Sequence, residues 1–234
     1  MSFPFATIID LTHPLSTDHP TWDGDCGFEL HTLVEHEDGH GPTQFTLQGV
    51  TFAKIGIGTH IDAPAHCFAH GVTVDQLPIE QLVTNAYVID ISSKAHAHYA
   101  LSTHDIVEFE KHHCTIAHNS LVIVHTGWSK FWHNKDAYRN VNQQGVMQFP
   151  TISSAAAELL LARGIAGIAI DTLSPDASES DFPVHRLLLG NGKYIIENLA
   201  NAQKLTPVGA LVCALPIKIQ TTESPVRVVG IMFK

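Results

Sequence analysis

The stretch GTHIDAPAH, at positions 58 to 66, places His60, Asp62 and His66 within seven residues. Histidine nitrogens and aspartate oxygens are the ligands that divalent ions such as Zn²⁺ and Mn²⁺ accept. In an extended chain His60 and Asp62 project from the same face, because strand side chains repeat every two residues. Pro64 disfavours helical geometry in the residue before it, so we expect a turn that returns His66 toward the same space. The stretch therefore predicts two ligands and a third titratable group in one short segment.

Histidine is abundant in this chain, so not every histidine cluster carries a function. There are 17 histidines in 234 residues, and clusters such as HAH at positions 96–98 and the pair at 112–113 are expected by chance. We interpret those clusters as exposed and inert. GTHIDAPAH differs from them because glycine and proline surround its polar groups and apolar segments flank it.

The composition is that of a folded, enzyme-sized chain. Apolar residues make up 44% of it, which argues against disorder, and the formal net charge of −10 argues against nucleic acid or an anionic membrane as a partner. No run of about 18 apolar residues is present, so we expect no membrane span. The N-terminal MSFPFATIIDL lacks a basic segment, so we also expect no signal peptide.

The cysteines indicate a reducing compartment. They are widely spaced and form no CxxC pattern, at Cys26, Cys67, Cys114 and Cys213. Reduced thiols in a cytoplasmic protein are the simplest interpretation. We further expect a homo-oligomer, a dimer or larger, that acts on a small molecule.

Strand and helix signals alternate along the chain without a low-complexity linker. Short β-branched runs predict strands, Ala- and Leu-rich or capped runs predict helices, and Gly164 predicts a helix stop. The predicted strands are Thr7–Leu11, Ala86–Ile91, Leu121–His125, Ile165–Asp171, Tyr194–Glu197, Leu211–Ile219 and Val226–Phe233, and the predicted helices are Ser102 or Thr103 to about His112, Ser153–Arg163 and a short turn over Phe182–Leu189. This pattern favours a mixed α/β fold with one core.

Several ordered motifs resemble those of the cyclase-type metal-dependent hydrolases, a family that includes bacterial kynurenine formamidase and isatin hydrolase. The motifs are GTHIDAPAH, HTGWSKFW from position 125, GIAIDTLSPD from 167, FPVHRLLL from 182, IIENLAN from 195, ALPIKI from 214 and SPVRVV from 224. The resemblance implies a single domain over residues 1–234 with the swivelling β/β/α architecture, that is, mixed sheets flanked by helices.

The resemblance also implies a set of site residues. His60 and Asp62 match metal ligands, His185 and Glu197 match the ligands of a second ion that Asp62 would share, and His66 matches the acid–base group. One position departs from the family pattern HxGTHxDxPxH, because Gly56 stands where the family has a ligating histidine. We therefore expect one tightly bound divalent ion per chain, Zn²⁺ or Mn²⁺, at Asp62, His185 and Glu197.

Apart from the resemblance, several of these residues have a structural alternative. A histidine in FPVHR is commonly a surface residue, and Glu197 in a strand could instead pair with Arg186, Lys193 or a backbone donor. Cys67 could supply the donor that Gly56 lacks, although its neighbour His66 already points to the site in the family. Two further sets have both a structural and a functional interpretation: Asp171 and Asp176 as turn or site residues, and Trp22, Phe28, Trp128, Trp132 and Phe149 as packing or substrate-pocket residues.

The function predicted from these residues is metal-dependent hydrolysis of a small amide. Arylformamidase activity, which converts N-formyl-kynurenine and water to kynurenine and formate, is the first candidate that the resemblance implies. Cyclic imide or isatin-type ring opening is the second. The third is a binding protein that kept the fold and lost turnover, which Gly56 motivates. No Gly-x-Ser-x-Gly elbow is present, which argues against a serine nucleophile.

Overall fold

The computed structural model describes residues 5–35 and 45–234. The expectation that the chain has no signal peptide rests partly on residues 1–4, which lie outside the described residues. Five α-helices occur in the described part: α1 (Ile79–Leu82), α2 (Thr103–His112), α3 (Lys135–Arg139), α4 (Ser154–Ala162) and α5 (Pro183–Gly190). No helix among the described residues is long and apolar enough to cross a bilayer.

Twelve strands are found in the same residues. They are β1 (Phe5–Asp10), β2 (Phe28–Val34), β3 (Leu47–Phe52), β4 (His60–Asp62), β5 (Val83–Asp90), β6 (Ala100–Leu101), β7 (Leu121–His125), β8 (Thr151–Ile152), β9 (Gly167–Ile170), β10 (Tyr194–Glu197), β11 (Ala210–Pro216) and β12 (Glu223–Phe233). Strands β2 and β3 form a separate hairpin, and β6 and β8 form a short parallel pair.

The remaining eight strands form one mixed sheet that closes on itself. Its order is β1-β12-β11-β5-β7-β9-β10-β4, and a further pairing joins β12 to β4. The neighbours β5, β7, β9 and β10 are parallel, whereas β11, β12 and β4 pair antiparallel. The extra pairing gives the sheet a barrel-like closure, which removes most of its open edge.

Both faces of the parallel strands are buried. In β7, Leu121 and Ile123 face a core inside the closed sheet, while Val122 and Val124 face a second core under α2, α4 and α5. A parallel strand covered on both sides reads as a continuous apolar run, which explains LVIV in this strand. The predicted mixed α/β fold with helices flanking the sheet is confirmed.

The helix boundaries follow from their capping residues. Ser102 caps α2 through a capping box in which Asp105 is the partner, and Ser153 caps α4 by accepting a hydrogen bond from Ala156 N. Gly164, at φ +72°, follows α4 in the left-handed conformation that ends helices. These positions agree with the sequence-based predictions to within one residue.

Candidate metal centre and active site

Strand β4 lies between β10 and β12, and this register builds the site. Glu197 of β10 is paired with His60, and Glu223 of β12 is paired with Asp62. Directly paired residues share a face of the sheet, as do residues two apart on one strand. Ile61, between the two site residues of β4, faces the core inside the sheet instead. Four polar side chains therefore project together from the outer face of the sheet.

His60 is held by the backbone immediately before it. Its Nδ1 lies 2.9 Å from the carbonyl oxygen of Gly58, which also accepts a 2.9 Å hydrogen bond from Asn198 Nδ2. In the neutral imidazole, donation from Nδ1–H puts the lone pair on Nε2, which faces Asp62 Oδ1 at 3.5 Å and Glu197 Oε2 at 3.4 Å. Gly58 has φ +62°, and a Cβ there would lie 2.5 Å from Leu15 Cδ2, so this turn requires glycine.

His185 is supplied by the first turn of α5, and Asp176 positions it. The Asp176 carboxylate accepts hydrogen bonds from Val184 N and His185 N, both at 2.9 Å, and from His185 Nδ1 at 2.8 Å. Asp176 thus caps the helix and fixes the imidazole at once. The Nε2 atom of His185 faces Glu197 Oε1 at 3.3 Å and Asp62 Oδ2 at 3.7 Å.

The buried charges depend on one another. Burial opposes protonation of His60 and His185, but the surrounding carboxylates outweigh it and raise the pKa of both imidazoles. Burial also raises the pKa of Glu197, whereas the two imidazoles hold the pKa of Asp62 below its usual value. All four residues are at most 6% exposed, so each charge needs a partner in the cluster.

These residues fit a divalent cation. Ligand atoms of Asp62, His185 and Glu197 lie within 4.8 Å of one another, and those of His60, Asp62 and Glu223 do the same. Asp62 Oδ1 is buried and has no hydrogen-bond partner among the described residues. Imidazole nitrogens with carboxylate oxygens form a donor set suited to Zn²⁺ or Mn²⁺. The four predicted ligands are thus brought together, although their role as ligands stays a prediction.

His66 lies at the mouth of this cluster. It ends a single 3₁₀ turn, Pro64–His66, which matches the turn predicted at Pro64. His66 Nδ1 lies 3.4 Å from Glu223 Oε1, and this interaction raises the pKa of the imidazole. If Nδ1–H donates to the carboxylate, Nε2 is the nitrogen free to accept a proton.

A cavity of about 580 Å³ opens onto the cluster. His60, Asp62, His66, His185 and Glu197 all line it, together with Glu223. Its apolar wall includes Trp22, Ile57, Leu173 and Phe182, with Asp181, Arg186 and Asn198 as polar neighbours. An apolar cavity with a few converging polar groups is typical of a small-molecule site.

The structure distinguishes between the alternative roles predicted for Glu197, Cys67 and the five aromatic residues. Glu197 contacts His60 and His185 and not the predicted alternatives Arg186 and Lys193. Cys67 lines the cavity but belongs to neither ligand cluster in the described residues. Of the five aromatic candidates, Trp22 reaches the cavity. Trp128, Trp132 and Phe149 pack in a buried cluster, while Phe28 contacts Phe52 across the β2–β3 hairpin.

Three residues of the site were not identified from the sequence. Glu223 was missed altogether, Asn198 follows a predicted ligand without a motif of its own, and Asp176 was left undecided. For Asp176, the available signal was its place in the motif GIAIDTLSPD, because it lies too far before Phe182, the N-cap residue of α5, to be recognised as a cap of that helix. No comparable local signal marks Glu223.

The sequence comparisons show the family of this chain. The profile of the family described as putative cyclase matches residues 9–177. Isatin hydrolase of Roseibium aggregatum is 31% identical over 219 residues, covering 88% of this chain and 81% of the relative. Kynurenine formamidase of Bacillus thuringiensis (strain Al Hakam) is 27% identical over 223 residues, covering 94% of this chain and 95% of the relative. The chain belongs to the putative cyclase family.

Solved structures give the same assignment of fold. Isatin hydrolase A from Labrenzia aggregata, bound to benzyl benzoate, has a TM-score of 0.88 at 29% identity, covering 97% of this chain and 94% of that chain. An isatin hydrolase bound to the product analogue thioisatinate has a TM-score of 0.88 at 27% identity, covering 97% and 92%. A potential metal-dependent hydrolase with cyclase activity reaches 0.72 at 24% identity, which supports the fold alone.

Proposed function

We propose that this protein is a metal-dependent hydrolase that cleaves the C–N bond of a small aromatic amide. The observation that carries the proposal is the convergence of Asp62, His185 and Glu197, with His60 beside them, at the floor of one apolar cavity. The relatives named isatin hydrolase and kynurenine formamidase support an aromatic amide as the substrate class.

Asp62, His185 and Glu197 would hold the tightly bound ion, either Zn²⁺ or Mn²⁺. When bound, a divalent ion polarises a carbonyl oxygen and can lower the pKa of a water from about 15.7 to about 7. Asp176 fixes His185 in the tautomer that presents Nε2 to the cluster, and Gly58 does the same for His60. Both imidazoles are thereby oriented before any substrate enters.

His66 would move the proton. Its Nε2 accepts a proton from the attacking water and passes it to the leaving nitrogen, so that one amide and one water give one carboxylic acid and one amine. Glu223 stabilises the protonated imidazole between these two transfers, because its carboxylate lies beside Nδ1. Trp22 and Phe182 provide an apolar wall against which an aromatic substrate can pack.

Two substrates represent the two candidate activities. Arylformamidase activity on N-formyl-kynurenine is the first candidate from the sequence motifs. Ring opening of an isatin-like cyclic amide is supported by the higher identity to isatin hydrolase and by TM-scores of 0.88. Both reactions hydrolyse a C–N bond attached to an aromatic ring, so they share the machinery described above.

The test uses the full chain purified without chelators. Its metal content is measured by mass spectrometry, and hydrolysis of N-formyl-kynurenine and of isatin is then followed before metal removal, after it, and after readdition of Mn²⁺ or Zn²⁺. We expect one substrate to be turned over with a rate that follows the metal. Metal-loaded protein that binds these amides without hydrolysing them would favour the binding-protein alternative and overturn the proposal.

A further inference from the structure

The carboxylate of Glu223 occupies the space that a side chain at position 56 would need. A Cβ built on Gly56 would lie 1.8 Å from Glu223 Oε2 and 2.8 Å from Glu223 Cδ. The φ of Gly56 is outside the left-handed region, so its backbone does not require glycine. The glycine is therefore explained by the close approach of Glu223 and not by backbone conformation.

Glu223 is carried to this place by strand pairing. It begins β12 opposite Asp62, and the pairing is extended on either side by Ala63 N donating to Thr222 O at 2.9 Å and Val226 N donating to Thr59 O at 3.0 Å. Thr221 Oγ1 also donates to the carbonyl oxygen of Glu223. The sheet thus fixes the backbone of Glu223, from which the side chain reaches the cavity.

The neighbouring atoms form a second donor set. One oxygen of Glu223 lies within 4.8 Å of ligand atoms of both His60 and Asp62. Asp62 directs Oδ1 toward His60 and Oδ2 toward His185, so its two oxygens face different sides of the site. Oδ1, on the His60 side, is the buried oxygen that lacks a hydrogen-bond partner among the described residues.

We propose that Glu223 replaces the donor that Gly56 cannot supply and completes a second cation position with His60 and Asp62. The inference rests on the proposed function, because Asp62 also belongs to the first position. The second position offers two carboxylates and one imidazole. Compared with a set containing a further imidazole, this set shifts selectivity from Zn²⁺ toward Mn²⁺, since oxygen ligands suit the harder ion. The second ion binds more weakly than the first.

The test titrates the metal-free full chain with Mn²⁺ and counts the free ion by electron paramagnetic resonance. The parent is expected to take up two equivalents, the second more weakly. Glu223→Ala should keep the first and weaken the second by at least the roughly 10–100-fold typical of losing an outer-shell partner. Glu80→Ala, which removes an exposed carboxylate outside the cavity, should bind as the parent does.

Two variants that change position 56 test the same geometry from the other side of the contact. Gly56→Ala adds only the Cβ that would displace the Glu223 carboxylate from its position, so it should weaken binding of the second equivalent. The double variant Gly56→His with Glu223→Ala should recover the second equivalent and shift its preference toward Zn²⁺. This pair of results does not depend on the stability of Glu223→Ala alone.

Failure of this inference and failure of the proposed function would give different titration results. Identical titrations of one equivalent in the parent, Glu223→Ala and Gly56→Ala would overturn the inference and leave the proposed function standing. Two equivalents retained in Glu223→Ala would also overturn it, because another donor would then hold the second ion. No Mn²⁺ or Zn²⁺ binding by the parent at all would overturn the proposed function, and the inference with it.

Discussion

Asp62 and Asp171 are both buried aspartates beside a histidine, but their oxygen atoms have different surroundings. Asp171 Oδ1 accepts hydrogen bonds from Thr126 N at 2.8 Å and Thr126 Oγ1 at 2.7 Å. Its Oδ2 faces Ser129 N at 3.4 Å and His125 Nδ1 at 3.3 Å. Asp62 Oδ1, in contrast, has no hydrogen-bond partner among the described residues.

This difference separates a structural carboxylate from a candidate ligand. Buried polar atoms are normally hydrogen-bonded, so an oxygen left without a partner indicates that something else satisfies it. Asp171 meets its requirement within the protein and does not line the 580 Å³ cavity, whereas Asp62 lies at the floor of that cavity. A motif that shows only an aspartate after a buried strand cannot distinguish these two cases.

The largest expected effect comes from Asp62→Asn. Because both ligand clusters use Asp62, the variant should lose Mn²⁺ and Zn²⁺ at both positions and with them the metal-dependent hydrolysis. Without metal, the variant also loses the interactions of the Asp62 carboxylate with His60 and His185, and removal of a charge close to Glu197 offsets part of that loss of stability. Metal content and urea unfolding in chelator measure the two effects. Metal binding equal to that of the parent would contradict the assignment of Asp62.

The next largest effect is expected for His66→Ala. This variant tests whether His66 transfers a proton or is a metal ligand beside Asp62. His66→Ala should keep its bound metal while turnover falls by about 10²–10⁴-fold, the usual contribution of a general acid–base group. Metal content and turnover are measured on the same preparation. His70→Ala, an exposed histidine four residues away, is the matched control and should behave as the parent. A parallel fall of metal content and activity in His66→Ala would identify His66 as a ligand instead.

Much of the fold was accessible from the sequence because its signals are local. Strands Leu121–His125 and Tyr194–Glu197 were predicted with the observed bounds, and α2 was predicted from its Ser102 cap. His60 and Asp62 share a face because an extended chain forces it, wherever the strand lies. The β2–β3 hairpin was not predicted, since its exposed strands lack a clear apolar pattern.

The part of the site that was missed depends on long-range pairing. Strand β12 was predicted to start at Val226, but it starts at Glu223 and includes Pro225. Proline has no N–H to donate, so its presence argued against a strand at that point. Pro225 lies near the start of β12, where residues 223–225 pair with the three-residue strand β4 at the closing seam of the sheet. The approach of Glu223 to Gly56 depends on that long-range pairing.

A smaller effect is expected for Asp176→Ala, which tests how the His185 ligand is oriented. The variant should weaken the first ion by about 10–100-fold, as loss of an outer-shell partner does, and lower stability by about 1 kcal/mol through the lost helix cap. Ser153→Ala removes only a cap, that of α4, and is the matched control. Equal metal affinity in the two variants would show that Asp176 acts on the helix and not on the metal ligand.

The smallest effect on the metal site is expected for Asp171→Asn, which should leave metal content unchanged and lower stability instead. The new amide nitrogen would face backbone and side-chain donors that now meet an oxygen, at a cost of about 1–3 kcal/mol. Urea unfolding of parent and variant in chelator measures this cost. A variant as stable as its parent would show that satisfaction of the oxygens does not distinguish the two aspartates.

The stability lost in Asp171→Asn should also depend on pH, because Asp171 favours the protonated form of His125. Burial opposes protonation, but the Asp171 carboxylate outweighs it and raises the pKa of His125 above its ordinary value near 6.5. The stability from this pair is therefore fully present below about pH 6.5 and is lost as the pH rises through the raised pKa. The difference between parent and Asp171→Asn should accordingly be larger at about pH 5.5 than at about pH 8.5. Thr126→Val removes a hydrogen bond to Asp171 without changing its charge, so its cost should vary less with pH. If the difference in stability between the parent and Asp171→Asn is the same at both pH values, the whole cost comes from the hydrogen bonds with Thr126 and Ser129. The charge interaction with His125 would then contribute nothing.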